Sequence, residues 1–121
     1  MKPEAIRRIR AEKQGRRGEE EAALFLHAGG WDILARRVRN AAGEVDLVAR
    51  KGRVVAFIEV KWRQHVAGLD NAIDARRLAR VCAAAEAEAH RFVQEGDDMR
   101  IDVLLLAPGH APRHLENAGL F

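Results

Sequence analysis

Residues 43–63 read GEVDLVARKGRVVAFIEVKWR, a mostly apolar run with a glycine near its middle. The pattern predicts two largely buried β-strands joined by a tight turn at Lys51-Gly52. Three charged residues, Asp46, Glu59 and Lys61, lie inside these strands. Burying a lone charge is costly, so each of the three needs a partner or a chemical task. They are the first candidates for functional residues.

The turn sets the positions of the two acids. A two-residue turn at 51–52 places Asp46 opposite Phe57, with Glu59 as its diagonal neighbour at roughly 7 to 8 Å. Lys61 shares a face with Glu59, because residues two apart on a strand project from the same side. Both carboxylates then face one cleft. A register shifted by one residue, or a bulge, would send Asp46 to the other side of the sheet.

Two carboxylates beside a lysine indicate a site for a divalent cation. Carboxylate oxygens suit Mg²⁺ or Mn²⁺, which take the rest of their ligands from water and phosphate. Lys61 would then orient or deprotonate an attacking water, or neutralise charge on a phosphate in the transition state. An alternative stays open: a plain ion pair between Glu59 and Lys61, with Asp46 capping a neighbouring group.

The composition is that of a single globular domain over residues 1–121. Of its 121 residues, 48% are hydrophobic and 32% are charged, which excludes disorder throughout. The net charge is +3, and only four of the 21 basic residues are lysines. An arginine bias favours a nucleic-acid partner, because the guanidinium group contacts phosphates in a bidentate manner. A GC-rich coding sequence would produce the same bias.

Cysteine usage and hydropathy bear on the compartment. The single cysteine, Cys82, excludes an intramolecular disulfide and fits a reducing environment. No apolar run approaches the roughly 18 residues of a membrane span, and the basic N-terminus is not followed by an apolar signal segment. We therefore expect a cytoplasmic protein that makes no contact with a membrane.

The N-terminal region is basic and then helical. Residues 1–17 are predicted to form a basic arm or the start of the first helix. The helical pattern is clear from Gly18 to Ala28, and Gly29-Gly30 is typical of a helix end. Glu19 lies on the same face as the apolar residues of this helix. We therefore expect its carboxylate to turn toward the body of the protein.

The remaining elements predict a mixed sheet. Residues 31–39 read as a strand with Ile33 and Ala35 turned inward, which makes an antiparallel meander of three strands. A long helix at 72–93 precedes the apolar strand 100–106. A strand that follows a helix in this way usually runs parallel to a central strand through a right-handed crossover. The sequence therefore predicts an α/β fold with a mixed sheet flanked by helices. Residues 109–121 are predicted to form a C-terminal tail that adds a short edge strand or a turn.

Several arginines are candidates for contact with the phosphates of a nucleic acid. Some lie in the basic N-terminal stretch and others near the two acids or at the start of the long helix. The candidates are Arg16, Arg17, Arg63, Arg76 and Arg80. The alternative for such a cluster is an ordinary solvated face.

Four segments taken together resemble the YraN-type family of small bacterial proteins. They are Gly18-Glu19 with Ala22, GEVDL at 43–47, FIEVKWR at 57–63 and RIDV at 100–103. The family is similar in turn to archaeal Holliday-junction resolvases and to the wider PD-(D/E)xK nucleases. The resemblance implies a restriction-endonuclease-like core. It also implies a Mg²⁺-dependent DNA endonuclease, with branched or junction DNA as one candidate substrate.

The resemblance assigns a role to each candidate residue. Asp46 and Glu59 match the metal-binding acids of the family, and Lys61 matches its catalytic lysine. Glu19 matches the helical acid that completes the site in resolvase-like members, so all four are catalytic candidates. Glu44 shares a strand face with Asp46 and is a supporting candidate.

Two positions depart from the family pattern. Arg37 stands where the family usually has Asn, and Arg76 stands where a lysine is usual; both bear on DNA contacts. Because a resolvase cuts two strands, the resemblance also implies a homodimer by analogy. The rival interpretation is a non-catalytic module on a nuclease scaffold, which binds nucleic acid or a protein partner.

Overall fold

The computed structural model describes residues 2–69 and 73–118, and the side chains of residues 11–14 lie outside that description. The elements are α1 (Pro3–Ala28), β1 (Asp32–Asn40), β2 (Gly43–Lys51), β3 (Val54–Trp62), a 3-10 turn (Val66–Leu69), α2 (Ala75–Phe92), β4 (Asp98–Leu106) and β5 (Arg113–Leu115). The strands form one sheet in the order β1-β2-β3-β4-β5. Only β3 and β4 run parallel. The predicted mixed α/β sheet flanked by helices is confirmed, and β5 is the predicted edge strand.

The first helix is longer than predicted. It begins at Pro3, because the fixed φ of proline suits the first helical position, so the basic stretch is the start of α1 and not a separate arm. Only its later turns pack against the sheet, where Ala22 and Leu26 are fully buried, whereas Ile6 and Ile9 are exposed. The helix ends before Gly29-Gly30, as predicted.

The hairpin turn between β2 and β3 lies one residue later than predicted. Lys51 pairs with Val54, so the turn is Gly52-Arg53, and Val48 is the residue opposite Phe57. Gly52 has a φ of +60°, which suits the first position of a type II′ hairpin turn. The predicted pairing of Asp46 with Phe57 is therefore wrong by two residues. Because side chains alternate with a period of two, this shift by itself leaves the side chains from Leu47 to Lys51 on their predicted faces.

Strand β1 is irregular in a way that the sequence pattern does not reveal. Ile33 pairs with Ala49 and Ala35 with Val48, so Leu34 is an extra residue on the β1 side. This bulge sends Ile33 to the face covered by α1 and Ala35 to the face covered by α2. Both residues turn inward, as predicted, but they pack into opposite apolar layers because of the bulge.

The sheet separates two apolar layers. Leu26, Trp31, Leu47, Ile58 and Leu104 are among the residues packed between the sheet and α1. The face toward α2 includes Val38, Val45, Val48, Phe57 and Val81. Val45 and Leu47 are two residues apart and yet belong to opposite layers, so the alternation of β2 is broken at Asp46. In the described part of the chain, no helix is both long and apolar enough to cross a bilayer.

The second helix makes the predicted crossover. The Asp74 side chain accepts a hydrogen bond from the Arg76 N–H at 2.8 Å and caps the first turn of α2. The helix spans a shorter segment than the predicted 72–93, and Ile73 is an exposed residue before it rather than part of its apolar stripe. Residues 70–72 lie outside the described residues. β4 then returns parallel to β3, and α2 packs on the apolar layer that contains Val45 and Phe57.

Candidate active site

Three carboxylates from α1 and β2 come together beside β3. Glu19, Glu44 and Asp46 have carboxylate oxygens within 4.8 Å of one another. Glu19 and Glu44 are half-buried and Asp46 is 8% exposed. The apolar face of α1 packs on the sheet, and this packing turns Glu19 inward as the helical spacing predicts.

Asp46 occupies the break in β2 and is bound to the neighbouring strand. The Val60 N–H donates a hydrogen bond to Asp46 Oδ2 at 2.8 Å. Burial raises the pKa of Asp46 to about 7, with a further contribution from the negative charges of Glu59 and Glu19. The hydrogen bond from Val60 acts in the opposite direction. Asp46 is therefore partly protonated near neutral pH, whereas an ordinary surface carboxylate is fully charged there.

Glu59 lies next to this cluster and is held by two cations. Lys61 Nζ lies 3.1 Å from Glu59 Oε1, and Arg77 Nε lies 2.7 Å from the same oxygen. The Glu59 side chain is 3% exposed, so these contacts compensate a buried charge. The pair of Glu59 and Lys61 and the capping contact of Asp46 match the structural alternative that the sequence left open. The second cation, Arg77, belongs to neither prediction.

The acids that converge differ in part from the predicted metal pair. Asp46 groups with Glu19 and with Glu44, which the sequence analysis ranked as a supporting residue only. Glu59 lies outside this group of three, although its charge acts on Asp46. A ligand role for Glu59 stays a prediction.

Two further arginines pair with acids of the cluster. Arg37 Nε lies 2.7 Å from Glu19 Oε2, and Arg39 Nε lies 3.2 Å from Glu44 Oε2. The contact with Glu19 raises the pKa of Arg37. Glu19, Glu44 and Glu59 are thus paired with basic side chains. The negative charge of Asp46 is instead reduced by partial protonation and stabilised by the hydrogen bond from the Val60 N–H.

The cluster opens into a cavity of about 610 Å³. Its walls carry both the acids and a majority of basic side chains. The charged residues that line it are Arg8, Arg16, Glu19, Arg37, Arg39, Glu44, Asp46 and Arg77. A cavity with carboxylates at its base and arginines around them can accept a negatively charged ligand next to a cation.

The donor set fits a hard divalent cation. All three converging side chains are carboxylates, the ligands that Mg²⁺ and Mn²⁺ prefer. Burial, with a further contribution from neighbouring negative charges, raises the pKa of Asp46, and a bound cation would stabilise its charged carboxylate in place of a proton.

Sequence comparison places the chain among known proteins. The model of the family described as "Uncharacterised protein family UPF0102" matches residues 18–106. The chain belongs to the UPF0102 family. This is the YraN-type family of the sequence resemblance, which is thereby confirmed. A UPF0102 protein of Erythrobacter litoralis is 60% identical over 113 residues, which cover 93% of this chain and 97% of the relative. One from Caulobacter vibrioides is 42% identical over 114 residues, covering 89% and 87%.

The UPF0102 fold is also that of a solved nuclease structure. The structure of Archaeoglobus fulgidus Hjc, a Holliday junction resolvase from an archaeal hyperthermophile, matches with a TM-score of 0.57 and 22% sequence identity. The match covers 84% of this chain and 75% of the Hjc chain. The similarity shows a shared fold.

The predicted phosphate-binding arginines of this UPF0102 protein occupy different places. Arg16 lines the acidic cavity and Arg80 lines a neighbouring one. Arg17 pairs with Glu21 at 3.4 Å, and Arg63 donates to the Trp62 carbonyl at 2.9 Å. Arg76 is exposed on the first turn of α2 and lines neither of these two cavities.

Sequence reasoning missed four arginines of the site, for identifiable reasons. Arg8 and Glu19 are about three helical turns apart, so the face they share would have been visible had the helix been extended to Pro3. Arg77 was recognised only as one member of a basic cluster. Arg37 and Arg39 belong to an irregular strand, whose bulge hides the face on which each side chain projects.

Proposed function

We propose that this protein is a Mg²⁺- or Mn²⁺-dependent endonuclease that hydrolyses phosphodiester bonds of DNA, with branched or junction DNA as its candidate substrate. The observation that carries the proposal is the convergence of Glu19, Glu44 and Asp46 within 4.8 Å in an arginine-lined cavity. Glu59, whose charge acts on Asp46, holds Lys61 at 3.1 Å. The shared scaffold with a Holliday junction resolvase is consistent with this chemistry.

The three carboxylates are the residues that would hold the cation. When bound there, such an ion supplies Lewis-acid stabilisation of the charge that develops on a phosphate under attack. Glu19 and Glu44 approach from different elements, so the packing of α1 on the sheet sets the width of the site. Asp46 has to give up its proton to act as a ligand, and its hydrogen bond to the Val60 N–H keeps its second oxygen oriented.

Lys61 is the proposed catalytic cation of this chain. The Lys61 side chain is 11% exposed, and its Nζ lies 3.1 Å from Glu59 Oε1, which fixes the position of the ammonium group. A positioned ammonium group can orient the attacking water and neutralise negative charge on the phosphate. We assign Glu59 primarily to positioning Lys61. Its predicted role as a metal ligand is retained as part of this proposal.

Recognition of DNA would come from arginines around the site. The cavity itself contributes Arg8, Arg16, Arg37, Arg39 and Arg77. Arg17, Arg63 and Arg76 are exposed and stay as proposed outer contacts to the phosphate backbone. By analogy with enzymes that cut two strands, a two-fold dimer would place two such sites on one junction. A cytoplasmic location accords with this role.

A second candidate function is a non-catalytic module that binds nucleic acid on the same scaffold. The observation that favours it is the pairing of Glu19, Glu44 and Glu59 with basic side chains of the chain itself. A site of this kind is stable without a bound cation and still presents arginines to phosphates.

Metal-dependent cleavage separates the two functions. Linear, flapped and four-way-junction DNA would be incubated with the protein and Mg²⁺ or Mn²⁺, comparing wild type with Asp46→Asn and Lys61→Ala. Asp98→Asn and Lys51→Ala are matched controls, because both residues are exposed and lie away from the acids. The nuclease proposal expects cleavage by wild type and controls, and a loss of at least about a hundred-fold in the two site variants. Absence of metal-dependent cleavage on every substrate would favour the binding module.

A further inference from the structure

A second cavity adjoins the acidic one, between α2 and the turn that joins β1 to β2. Its volume is about 520 Å³. Three arginines line it, Arg39, Arg77 and Arg80, together with a single carboxylate, Glu44. The lining therefore carries an excess of positive charge. Such a concave site with several guanidinium groups is suited to a phosphate group.

The walls of this cavity are fixed relative to each other. Asn40 Nδ2 donates to the Ala84 carbonyl at 3.0 Å and to Glu88 Oε1 at 3.2 Å, which fastens the turn to α2. A Cβ atom added to Gly43 would lie 3.1 Å from the Arg80 carbonyl oxygen. The glycine thus permits a close approach of the turn to the helix. The arginines are presented from a preorganised cleft rather than from a mobile surface.

The three arginines differ in what they contact. Arg39 pairs with Glu44 and Arg77 pairs with Glu59, so both are shared with the acidic site. Arg80 is exposed, and among the residues that the structure describes its side chain has no hydrogen bond or ion pair. Its charge is available to a ligand without breaking any internal contact.

The two cavities share three lining residues. Arg39, Glu44 and Arg77 belong to both, and Glu44 is also a member of the acid cluster. We propose that the second cavity binds the phosphate that flanks the scissile one on the same nucleic-acid strand. The assignment rests on the proposed function, because the acid cluster defines which phosphate is scissile. The nucleic-acid strand would then run from the acid cluster, on the side of α1, toward Arg80 on α2.

Binding measured without metal tests this site separately from catalysis. A fluorescently labelled single strand and its duplex would be titrated in EDTA, comparing wild type with Arg80→Ala and Arg80→Lys. Arg91→Ala is the matched control, an exposed arginine of the same helix that pairs with Glu88. We expect Arg80→Ala to weaken binding roughly ten-fold at low salt. Arg80→Lys should recover part of that loss, and Arg91→Ala should change the affinity little.

The salt dependence gives a second readout that a structural defect would not move in this way. Loss of one phosphate contact should reduce the slope of log affinity against log salt by about 0.7 for the single strand and about 0.9 for the duplex. Equal affinities and slopes for Arg80→Ala and Arg91→Ala would overturn the assignment. Failure of the protein to cleave DNA would count against the nuclease and leave this binding result standing.

A competitor identifies the source of the phosphate. Inorganic pyrophosphate at matched ionic strength should displace the oligonucleotide only weakly, because it lacks the contacts along the strand. If Arg80→Ala abolished tight pyrophosphate binding and left the oligonucleotide affinity unchanged, the cavity would serve a small phosphate ligand. That outcome would overturn its assignment to the strand.

Discussion

Arg77 Nε and Lys61 Nζ share one oxygen, Glu59 Oε1, at 2.7 and 3.1 Å. A single buried carboxylate thus links α2 to β3 and carries two cations. In the same way, Glu19 is paired with Arg37 and Glu44 with Arg39. The acids compensate the arginines of the cavity, and the arginines compensate the acids. This mutual compensation has consequences that can be measured.

Divalent cations should strengthen DNA binding. A cation held by the three acids would release Arg37 from Glu19 and Arg39 from Glu44 to contact phosphates, and the coupling must be reciprocal. We expect Mg²⁺ to tighten DNA binding to the Lys61→Ala variant by roughly ten-fold, whereas a simple ionic-strength effect would weaken it. Fluorescence anisotropy in MgCl₂ and in NaCl of matched ionic strength measures this difference.

The control for that experiment adds Asp46→Asn to Lys61→Ala. With one ligand of the cluster removed, the tightening by Mg²⁺ should be lost. Equal tightening in the single and the double variant would show that the cation acts elsewhere.

The raised pKa of Asp46 predicts a pH-dependent stability. Its pKa is about 7 in the folded protein and 3.8 for an ordinary aspartate, so between these values the folded state holds a proton that the unfolded state has released. The contribution of Asp46 to stability is therefore greatest at low pH and falls as pH rises toward 7. Across that window the loss is on the order of a few kcal/mol.

Asp46→Asn removes this titration, because an amide carries no proton to lose. The free energy of unfolding of wild type minus that of Asp46→Asn should therefore fall between about pH 5 and about pH 8. Urea denaturation at both pH values measures the difference, and the other titrating groups, common to both proteins, largely cancel. A difference that is the same at both pH values contradicts the raised pKa.

Asp102 should be the most sensitive acid for stability. It is fully buried on β4 and accepts hydrogen bonds at 2.8 Å from Arg100, His114 and the Asn117 N–H. These bonds hold the pKa of Asp102 below its usual range against the effect of burial. Asp102→Ala removes the acceptor shared by the partly buried Arg100 and His114 and by the Asn117 N–H, and it should lower the free energy of unfolding by about 2 to 3 kcal/mol. Asp98→Ala on the same strand is the exposed control, and urea titration of both variants provides the comparison. A similar small effect in both variants would contradict the prediction.

Replacing Arg37 with Asn, the residue that is usual in the family, should stabilise the protein. Its φ of +51° lies in the left-handed region, which Asn adopts more readily than Arg. The Arg37 side chain is 40% exposed, so water screens its pair with the half-buried Glu19, and the backbone effect should dominate. We expect Arg37→Asn to raise the free energy of unfolding by up to about 1 kcal/mol and Arg37→Ala not to raise it. Thermal unfolding of the two variants measures this, and a loss of stability in both would show that the ion pair dominates.

Much of this molecule followed from local pattern. Hydrophobic periodicity and turn residues predicted the meander, the long helix and the parallel return of β4. The inward position of Glu19 followed from helical spacing, and the candidate acid Asp46 followed from a charge in an apolar strand. These features depend on residues close in the chain, and a hairpin error of two residues preserves the faces of a strand.

The membership of the site was decided by the tertiary structure. The break in alternation at Asp46 and the packing of α1 bring Asp46 together with Glu44 and Glu19, while Glu59 contacts Arg77. The bulge at Leu34 and the left-handed Arg37 affect the faces of the β1 side chains. A single irregular residue reverses the face of every side chain beyond it, and no periodic pattern in the sequence records where that happens. Which charges compensate each other therefore depends on how α1, α2 and the sheet pack around these irregularities.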